Sequence, residues 1–167
     1  MRKIGDVVLY RTAGLCLVSD IRTESFSGQA EEYYILKPCA DEKSVVYIPL
    51  NNTVLCEKMH TLLSREEILS LIDSFPFLEI SWQENDKRRS EEFRAVIESG
   101  DRHRVAGVIK TIFKHRLELE EKGKKLRSSD EILFHQAQKL LFEEFSFVLD
   151  IPTEELPGFI EKRLNIS

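Results

Sequence analysis

The hydrophobic periodicity of this sequence changes once, near residue 58, and the change divides the chain into two kinds of structure. Before it, short runs rich in β-branched and aromatic residues alternate with turn residues such as Ser27 and Gly28, which is typical of strands joined by hairpins. After it, apolar residues recur at the 3.6-residue spacing of amphipathic helices. The sequence therefore predicts a multi-domain α+β protein, with a first domain over residues 1–58 and a second over residues 59–167.

Five short runs predict the strands of the first domain. The runs are Asp6–Tyr10, Gly14–Val18, Tyr33–Lys37, Val45–Ile48 and Thr53–Cys56. Pro38 and Pro49 fall at the ends of such runs, where a missing N–H is tolerated. Five strands within 60 residues, with no helical period among them, indicate a small SH3-like or Tudor-like β-barrel, whose closure limits exposed edges.

Start and stop signals predict a compact all-helical second domain. Ser64–Glu67 and Ser128–Glu131 both have the pattern of a capping box, and the second predicts the start of a long central helix. Asp101 directly follows Gly100, so we expect one helix to stop there and the next to begin. A short closing helix is predicted at 154–164.

The helix after Asp101 is predicted to have a basic outer face. His103, Lys110 and Lys114 lie opposite its apolar stripe on a helical projection. The residues of that stripe are Val105, Val108, Ile109, Ile112 and Phe113.

Charge is unevenly distributed along the chain. The whole sequence has a net charge of -5, from 24 basic and 29 acidic residues, which is unpromising for a protein that binds phosphates. Residues 87–127, however, hold 13 basic and 7 acidic residues, whereas segments 61–86 and 128–167 each have a net charge of -5. The pattern predicts one contiguous positive surface from residues 87–127, with the acidic flanks facing elsewhere.

Lys87, Arg88 and Arg89 form a basic triplet at the predicted start of a helix. Cations at a helix N-terminus oppose the helix dipole, so local helix energetics do not explain them. One interpretation is a solvated face that pairs with Glu91 and Glu92. The other is a set of phosphate contacts, and the pattern alone leaves both open.

Trp82 is the only tryptophan, and it lies in the polar stretch 81–86. It is interpreted either as an anchor that packs against its own domain or as an apolar wedge beside cationic residues on DNA. Its burial in the structure decides between the two.

Patterns for catalysis and metal binding are weak. Cys56 and His60 have the spacing of half a zinc motif, and the second half is missing. Cys16, Cys39 and Cys56 form no Cys-x-x-Cys pair, so reduced core thiols are expected. The seven glycines make no phosphate-binding motif. We expect no enzyme activity, cofactor, metal or small-molecule substrate.

Hydropathy favours a cytoplasmic protein. No apolar run approaches the roughly 18 residues of a membrane span, and no apolar N-terminal stretch has the pattern of a secretion signal. We therefore expect no membrane partner.

Taken in order, several stretches resemble the CarD/CdnL family of bacterial RNA polymerase-binding transcription regulators. The matching stretches are Ile4–Tyr10, Glu32–Lys37, Val45–Pro49, Ser99–Asp101 and Leu140–Leu149. The resemblance implies a Tudor-like domain, shared with the transcription-repair coupling factor, which docks on the polymerase β subunit by extending its sheet. It also implies a helical domain that contacts the upstream edge of the promoter's -10 region, where a tryptophan wedges into the minor groove.

Three departures from the family pattern concern the predicted contacts. Asp86, and not tryptophan, aligns with the wedge position, and Trp82 lies about one helical turn earlier. Tyr47 replaces a basic residue that occurs in some members. The stretch 122–127 is longer than in those members by about three residues, which suggests an added phosphate-contacting loop.

The main hypothesis is a non-enzymatic regulator that docks on the RNA polymerase β subunit, contacts promoter DNA weakly and with little sequence preference, and stabilises the open complex. Its location is then the cytoplasm, with the nucleoid reached through the polymerase. Its candidate polymerase-binding residues are Arg22, Tyr34 and Tyr47. Its candidate DNA-binding residues are Trp82, Lys87, Arg88, Arg89, His103, Lys110, Lys114, Lys124, Lys125 and Arg127. The alternative is a protein-only adaptor that binds polymerase or another partner without a DNA wedge.

Overall fold

The computed structural model of the chain describes residues 1–165 and divides into two compact units. The first unit is Met1–Leu62, and the second begins at Leu63. The first is built on an antiparallel sheet and the second on helices, so the α+β prediction is confirmed.

The sheet of the first unit has five antiparallel strands in the spatial order β4-β3-β2-β1-β5. Their bounds are β1 Val7–Tyr10, β2 Gly14–Glu24, β3 Glu31–Pro38, β4 Val46–Pro49 and β5 Met59–Thr61. One face of the sheet buries an apolar core whose central residues are Val8, Cys16, Val18, Tyr34, Leu36 and Ile48. The alternation of these residues along each strand is the period-2 pattern that the sequence shows.

The prediction of a strand at Thr53–Cys56 was wrong. These residues belong to a short helix, α1 (Thr53–Glu57), and the last strand comes after it. The Asn52 side chain accepts a hydrogen bond from the Leu55 N–H at 3.0 Å, and this cap starts the helix despite the β-branched residues. α1 contacts both β4 and β5, so a helical turn joins the two outer strands of the sheet.

In its described residues, 63–165, the second unit contains five further α-helices, grouped around the longest. They are α2 Arg65–Ser74, α3 Asp86–Ser99, α4 Arg102–Glu121, α5 Ser128–Leu149 and α6 Leu156–Arg163. All of the other four pack against α5, which buries Leu133, Ala137, Leu141 and Phe145 at successive turns. The predicted central helix is therefore present.

Of the two predicted capping boxes, one is confirmed and the other was wrong. Ser64 and Glu67 form the predicted capping box, and Asp101 caps α4 through the Arg104 N–H. The box at Ser128–Glu131 does not form, because Ser128 is already helical and Arg127 occupies the cap position without a side-chain hydrogen bond.

The three cysteines differ in exposure. Cys16 is buried, Cys56 is half-buried and Cys39 is exposed, so the expectation of core thiols is wrong for Cys39. Burial raises the pKa of the Cys56 thiol. Within residues 1–165, no three His, Cys, Asp or Glu side chains group as metal ligands would, and no helix has the length and apolarity to cross a bilayer.

Candidate functional site

Arg89 is buried at the centre of a polar clamp in the second unit. Its Nε and Nη2 atoms donate to the two carboxylate oxygens of Asp130 at 2.9 and 2.8 Å, and Nη2 also donates to Asp86 at 2.9 Å. Nη1 donates to the Gln83 carbonyl at 2.8 Å. Only 2% of Arg89 is exposed. The expectation that Arg89 contacts phosphates was wrong, because its donors are already used inside the fold.

The Arg89 guanidinium is held in its charged form by this clamp. Burial acts to lower the pKa of Arg89, but the hydrogen bonds that Arg89 donates to Asp130 and Asp86 outweigh it, and the pKa is raised. A buried charge is tolerated only when it is paired in this way. The clamp therefore joins the starts of α3 and α5 and the segment that precedes α3.

Trp82 is sandwiched within its own unit. Its ring stacks on His115 at a centroid distance of 3.8 Å, and the Arg89 guanidinium carbon lies over the ring at 4.2 Å. Two groups this close to the ring centre cannot share one face, so both faces of the indole are covered. Phe93 adds an edge-to-face contact at 6.2 Å. This geometry supports the anchor interpretation, because a wedge needs a free aromatic face or edge.

Asp86, which aligns with the family's wedge position, links two basic side chains. Its Oδ1 accepts from Arg89, and its Oδ2 lies 2.8 Å from Nη1 of Arg127. The second contact places the loop before α5 beside the start of α3. The wedge position is therefore occupied by an ion-pair bridge.

Three exposed cations come together beside that bridge, and we call them the basic corner. They are Lys124, Lys125 and Arg127; Lys87 and Arg88 are also exposed, in the first turn of α3. Lys124, Lys125 and Arg127 line a cleft of about 360 Å³ together with Trp82 and Asp130. The uncapped N-terminus of α5 lies at the same place and adds positive potential.

A second cleft, of about 500 Å³, lies on the other side of the Trp82–His115 stack. Lys110 and Lys114 line it, but Glu79 and Glu118 line it too. Trp82 and His115 line both clefts, which makes the two basic regions neighbours. The Lys110 ammonium is partly engaged, because it donates to the Pro76 carbonyl at 2.6 Å.

The segment before α3 packs along α4, on the face that the sequence analysis assigned to solvent. The Thr111 hydroxyl donates to the Ile80 carbonyl at 3.2 Å, and a Cβ added at Gly107 would lie 2.9 Å from the Ile80 side chain. Phe113, which was predicted to be buried, is instead 47% exposed. Glycine at position 107 is thus what allows this close approach.

We expect Gly107→Val to lower the free energy of unfolding by about 1–3 kcal/mol, because the larger side chain overlaps Ile80. In an Ile80→Ala background the cost should fall by about 1 kcal/mol or more, because the overlapping atoms are absent. Urea unfolding of the wild type, the two single variants and the double variant measures the coupling between positions 107 and 80. If the two changes in unfolding free energy simply add, the close packing of Gly107 on Ile80 is contradicted.

The remaining predicted DNA-binding residue, His103, lines neither of the two clefts. It is exposed in the first turn of α4, eleven residues before Lys114, and a helix rises about 16 Å over that length. Of the basic segment, Arg102 also turns inward and pairs with the buried Glu144. The prediction that the acidic flanks face elsewhere was therefore wrong, since Asp86, Asp130 and Glu144 all pair with its cations.

In the first unit, the three candidate polymerase-binding residues lie on different faces. Tyr34 is 5% exposed and belongs to the core, so the expectation that it forms a docking surface was wrong. Arg22 and Tyr47 lie on the opposite, outer face. The Arg22 side chain donates to Glu24 at 2.6 Å, and this hydrogen bond raises the pKa of Arg22.

A β-bulge between Val18 and Asp20 determines which residues of β2 point to that outer face. Before the bulge, Cys16 and Val18 point into the core; after it, Asp20, Arg22 and Glu24 point outward. A bulge inserts one extra residue and so reverses which residues face the core.

An aromatic cluster on the outer face was missed by the sequence analysis. Phe26 lies in the β2–β3 turn, and its ring packs edge-to-face on Tyr33 at 5.3 Å and on Tyr47 at 4.9 Å. Burial, followed by a hydrogen bond to Glu31, raises the pKa of Tyr33. The only signal in the sequence was a phenylalanine within an otherwise polar turn, the same kind of signal that drew attention to Trp82.

The backbone of β4 is open on one side. The Leu50 N–H donates to Glu32, so alternation along the ladder turns the N–H and C=O of Tyr47 away from β3. Pro49 has no N–H, and its carbonyl accepts from Asn52. Among the described strand pairings, β4 pairs with β3 alone, so Tyr47 is the centre of a short edge.

Comparisons with known proteins agree with this architecture. The family model of the CarD-like/TRCF RID domain matches residues 3–60, and the model of the CarD C-terminal domain matches residues 77–161. A search of curated proteins finds no match. The two matches cover the sheet of the first unit and, in the second, helices α3 to α5 and most of α6. The chain therefore belongs to the CarD family, which consists of non-enzymatic transcription factors that interact with RNA polymerase.

Proposed function

We propose that this protein docks on the β subunit of RNA polymerase through its first unit and contacts promoter DNA through the basic corner of its second unit. The contact lies near the upstream edge of the -10 region and stabilises the open complex. The observation that carries the proposal is the meeting of three exposed cations, Lys124, Lys125 and Arg127, at one cleft of a unit that belongs to the CarD family.

The open edge of β4 supports docking by strand addition. A partner strand that pairs with β4 gains backbone hydrogen bonds at Tyr47, and its side chains alternate between the two faces of the sheet. The edge is only four residues long, so the backbone alone supplies few hydrogen bonds. Affinity must then come mainly from the side chains that flank the edge.

The basic corner suits backbone phosphates better than bases. Its two lysines and one arginine are exposed in a loop, where they can follow a phosphate chain without reading a sequence. Three contacts are too few for tight binding alone. Docking on polymerase raises the local concentration of the corner near DNA, and preference for the melted promoter then shifts the equilibrium toward the open complex.

Trp82 has a positioning role in this proposal. Insertion into the minor groove requires that the indole leave both His115 and Arg89, which cover its faces. DNA contact is therefore assigned to the cations of the basic corner. Trp82 instead holds Arg89 and His115 in place behind them.

One observation favours a second function, the protein-only adaptor. Acidic residues lie among the cations: Asp86 bridges Arg127 and Arg89, and Glu84 lines the same cleft. They reduce the positive potential that DNA would meet. In an adaptor, the same corner would be a second protein-binding surface, and promoter complexes would be insensitive to its lysines.

The two functions are separated by replacing Lys124 and Lys125 with alanine. If the corner contacts phosphates, the added lifetime that the protein gives to polymerase–promoter complexes should shorten. The slope of log affinity against log salt should fall by about 2, because each phosphate contact contributes about 0.9. The measurement is survival of the complex after competitor challenge, over a range of salt concentrations.

A matched control removes two other exposed lysines, Lys139 on α5 and Lys162 on α6. It has the same net charge as the test variant and should behave as the wild type does. Equal lifetimes for both variants, with polymerase binding intact, would support the adaptor instead.

A further inference from the structure

The outer face of the first unit carries an aromatic cluster with an acidic rim. The cluster is Phe26, Tyr33 and Tyr47, each packed edge-to-face on the other two. Phe26 is 61% exposed and Tyr47 is 37% exposed, so two of the rings are presented to a partner. Exposed aromatic residues that are already held rigidly make good binding anchors, because little side-chain entropy remains to be lost.

Acidic side chains flank this cluster on the side of β2 and at the start of β3. The strand register places Asp20 opposite Ile35, Arg22 opposite Tyr33, and Glu24 opposite Glu31, all on the outer face. The rim therefore contains three carboxylates, Asp20, Glu24 and Glu31, and one cation.

Arg22, the single cation of the rim, is paired with carboxylates of the same rim. It donates to Glu24 at 2.6 Å and lies 3.5 Å from Asp20. It is also close enough to the Tyr47 hydroxyl for that group, like Glu24, to raise the pKa of Arg22, so its charge is directed at its own neighbours. The nearest other cation on this face of β3 is Lys37, two residues beyond Ile35. Seen by a partner, the patch is aromatic at its centre and net negative at its edge.

The patch is continuous with the open edge of β4. Tyr47 contributes its ring to the cluster and its backbone N–H and C=O to the edge. A strand added at that edge lies about 4.8 Å away, and every second side chain of it falls on the outer face beside Tyr47.

We propose that the patch selects a polymerase strand that presents an arginine or lysine beside Tyr47. Aromatic faces attract cations, and the three carboxylates of the rim give the outer face a net negative charge. The inference rests on the proposed docking and adds to it the charge of the partner surface. An acidic partner segment would meet Asp20, Glu24 and Glu31 and be repelled.

The sign of the partner's charge is tested by two substitutions at position 47. Tyr47→Arg places a cation where the partner's cation should lie, so binding of the full chain to purified RNA polymerase should weaken by about tenfold or more. Tyr47→Phe keeps the ring and should bind as the wild type does. Phe26→Ala should weaken binding as well, because it removes the most exposed ring.

The rim is tested by charge reversal. The double variant Glu24→Lys with Glu31→Lys should weaken binding at low salt and approach the wild type at high salt, because long-range attraction is screened. Glu42→Lys, a single reversal with half that charge change, is the control, since Glu42 is exposed in the β3–β4 turn, away from the patch, and should have little effect.

The outcomes distinguish the inference from the function on which it rests. If the wild type binds polymerase and Tyr47→Arg binds equally or more tightly, the partner surface is not cationic and the inference is overturned while docking stands. If the wild type does not bind polymerase, the proposed docking itself fails and the inference fails with it. Circular dichroism confirms that each variant is folded.

Discussion

Replacing Arg89 with alanine is expected to lower the free energy of unfolding by about 3–5 kcal/mol, as does the loss of one partner from a buried ion pair. The substitution leaves the Asp130 carboxylate buried without its two charge-assisted hydrogen bonds. It also removes the group that covers one face of Trp82. Urea unfolding followed by far-ultraviolet circular dichroism measures the effect.

Arg88→Ala is the matched control for Arg89→Ala. It removes the same side chain one position earlier, where it is exposed, and should change stability by less than about 0.5 kcal/mol. Replacing the pair together, as Arg89→Met with Asp130→Leu, should cost less than either single loss because no buried charge is left unpaired. Equal stability of Arg89→Ala and Arg88→Ala would contradict the buried clamp.

Glu144→Ala should have an effect of similar size, about 3–5 kcal/mol. Glu144 is fully buried, and its carboxylate accepts from Arg102 Nε and Nη2 at 2.9 and 2.8 Å. It also accepts from the Leu63 backbone N–H at 2.9 Å, so alanine leaves that donor unsatisfied. The unfolding free energy of the second unit is again the measurement.

Glu144→Gln distinguishes the charge from the hydrogen bonds. Glutamine keeps one oxygen acceptor but loses the negative charge. The free energy of unfolding of Glu144→Gln should therefore lie between those of the wild type and Glu144→Ala. Glu91→Ala, on the exposed face of α3, serves as the control and should be nearly neutral. A fully destabilised glutamine variant would mean that the ion pair with Arg102 dominates.

Local signals in the sequence predicted local structure well. Asp101 caps α4 and Ser64 caps α2 as expected, because each acts on N–H groups three residues away. The same local chemistry explains the wrong strand, since the Asn52 cap outweighed the β-branched residues of 53–56. The resemblance to the family was correct for both parts of the chain.

The candidate site was predicted less well, because its partners are distant in sequence. Arg89 finds Asp130 41 residues later, and Trp82 finds His115 33 residues later, so no local pattern could show that either is covered. A count of charges gave residues 87–127 a net charge of +6 but could not show which of those cations turn inward. Arg89 and Arg102 both do.

The sandwich around Trp82 also gives this chain a built-in optical label. Trp82 is the only tryptophan, and it lies in the second unit, between the two basic clefts. Its emission should therefore report on the unfolding of that unit alone. Unfolding of the five-stranded sheet in the first unit should leave the indole emission unchanged. Comparing indole emission with a signal from the tyrosines of the first unit would show whether the two units unfold together or one after the other.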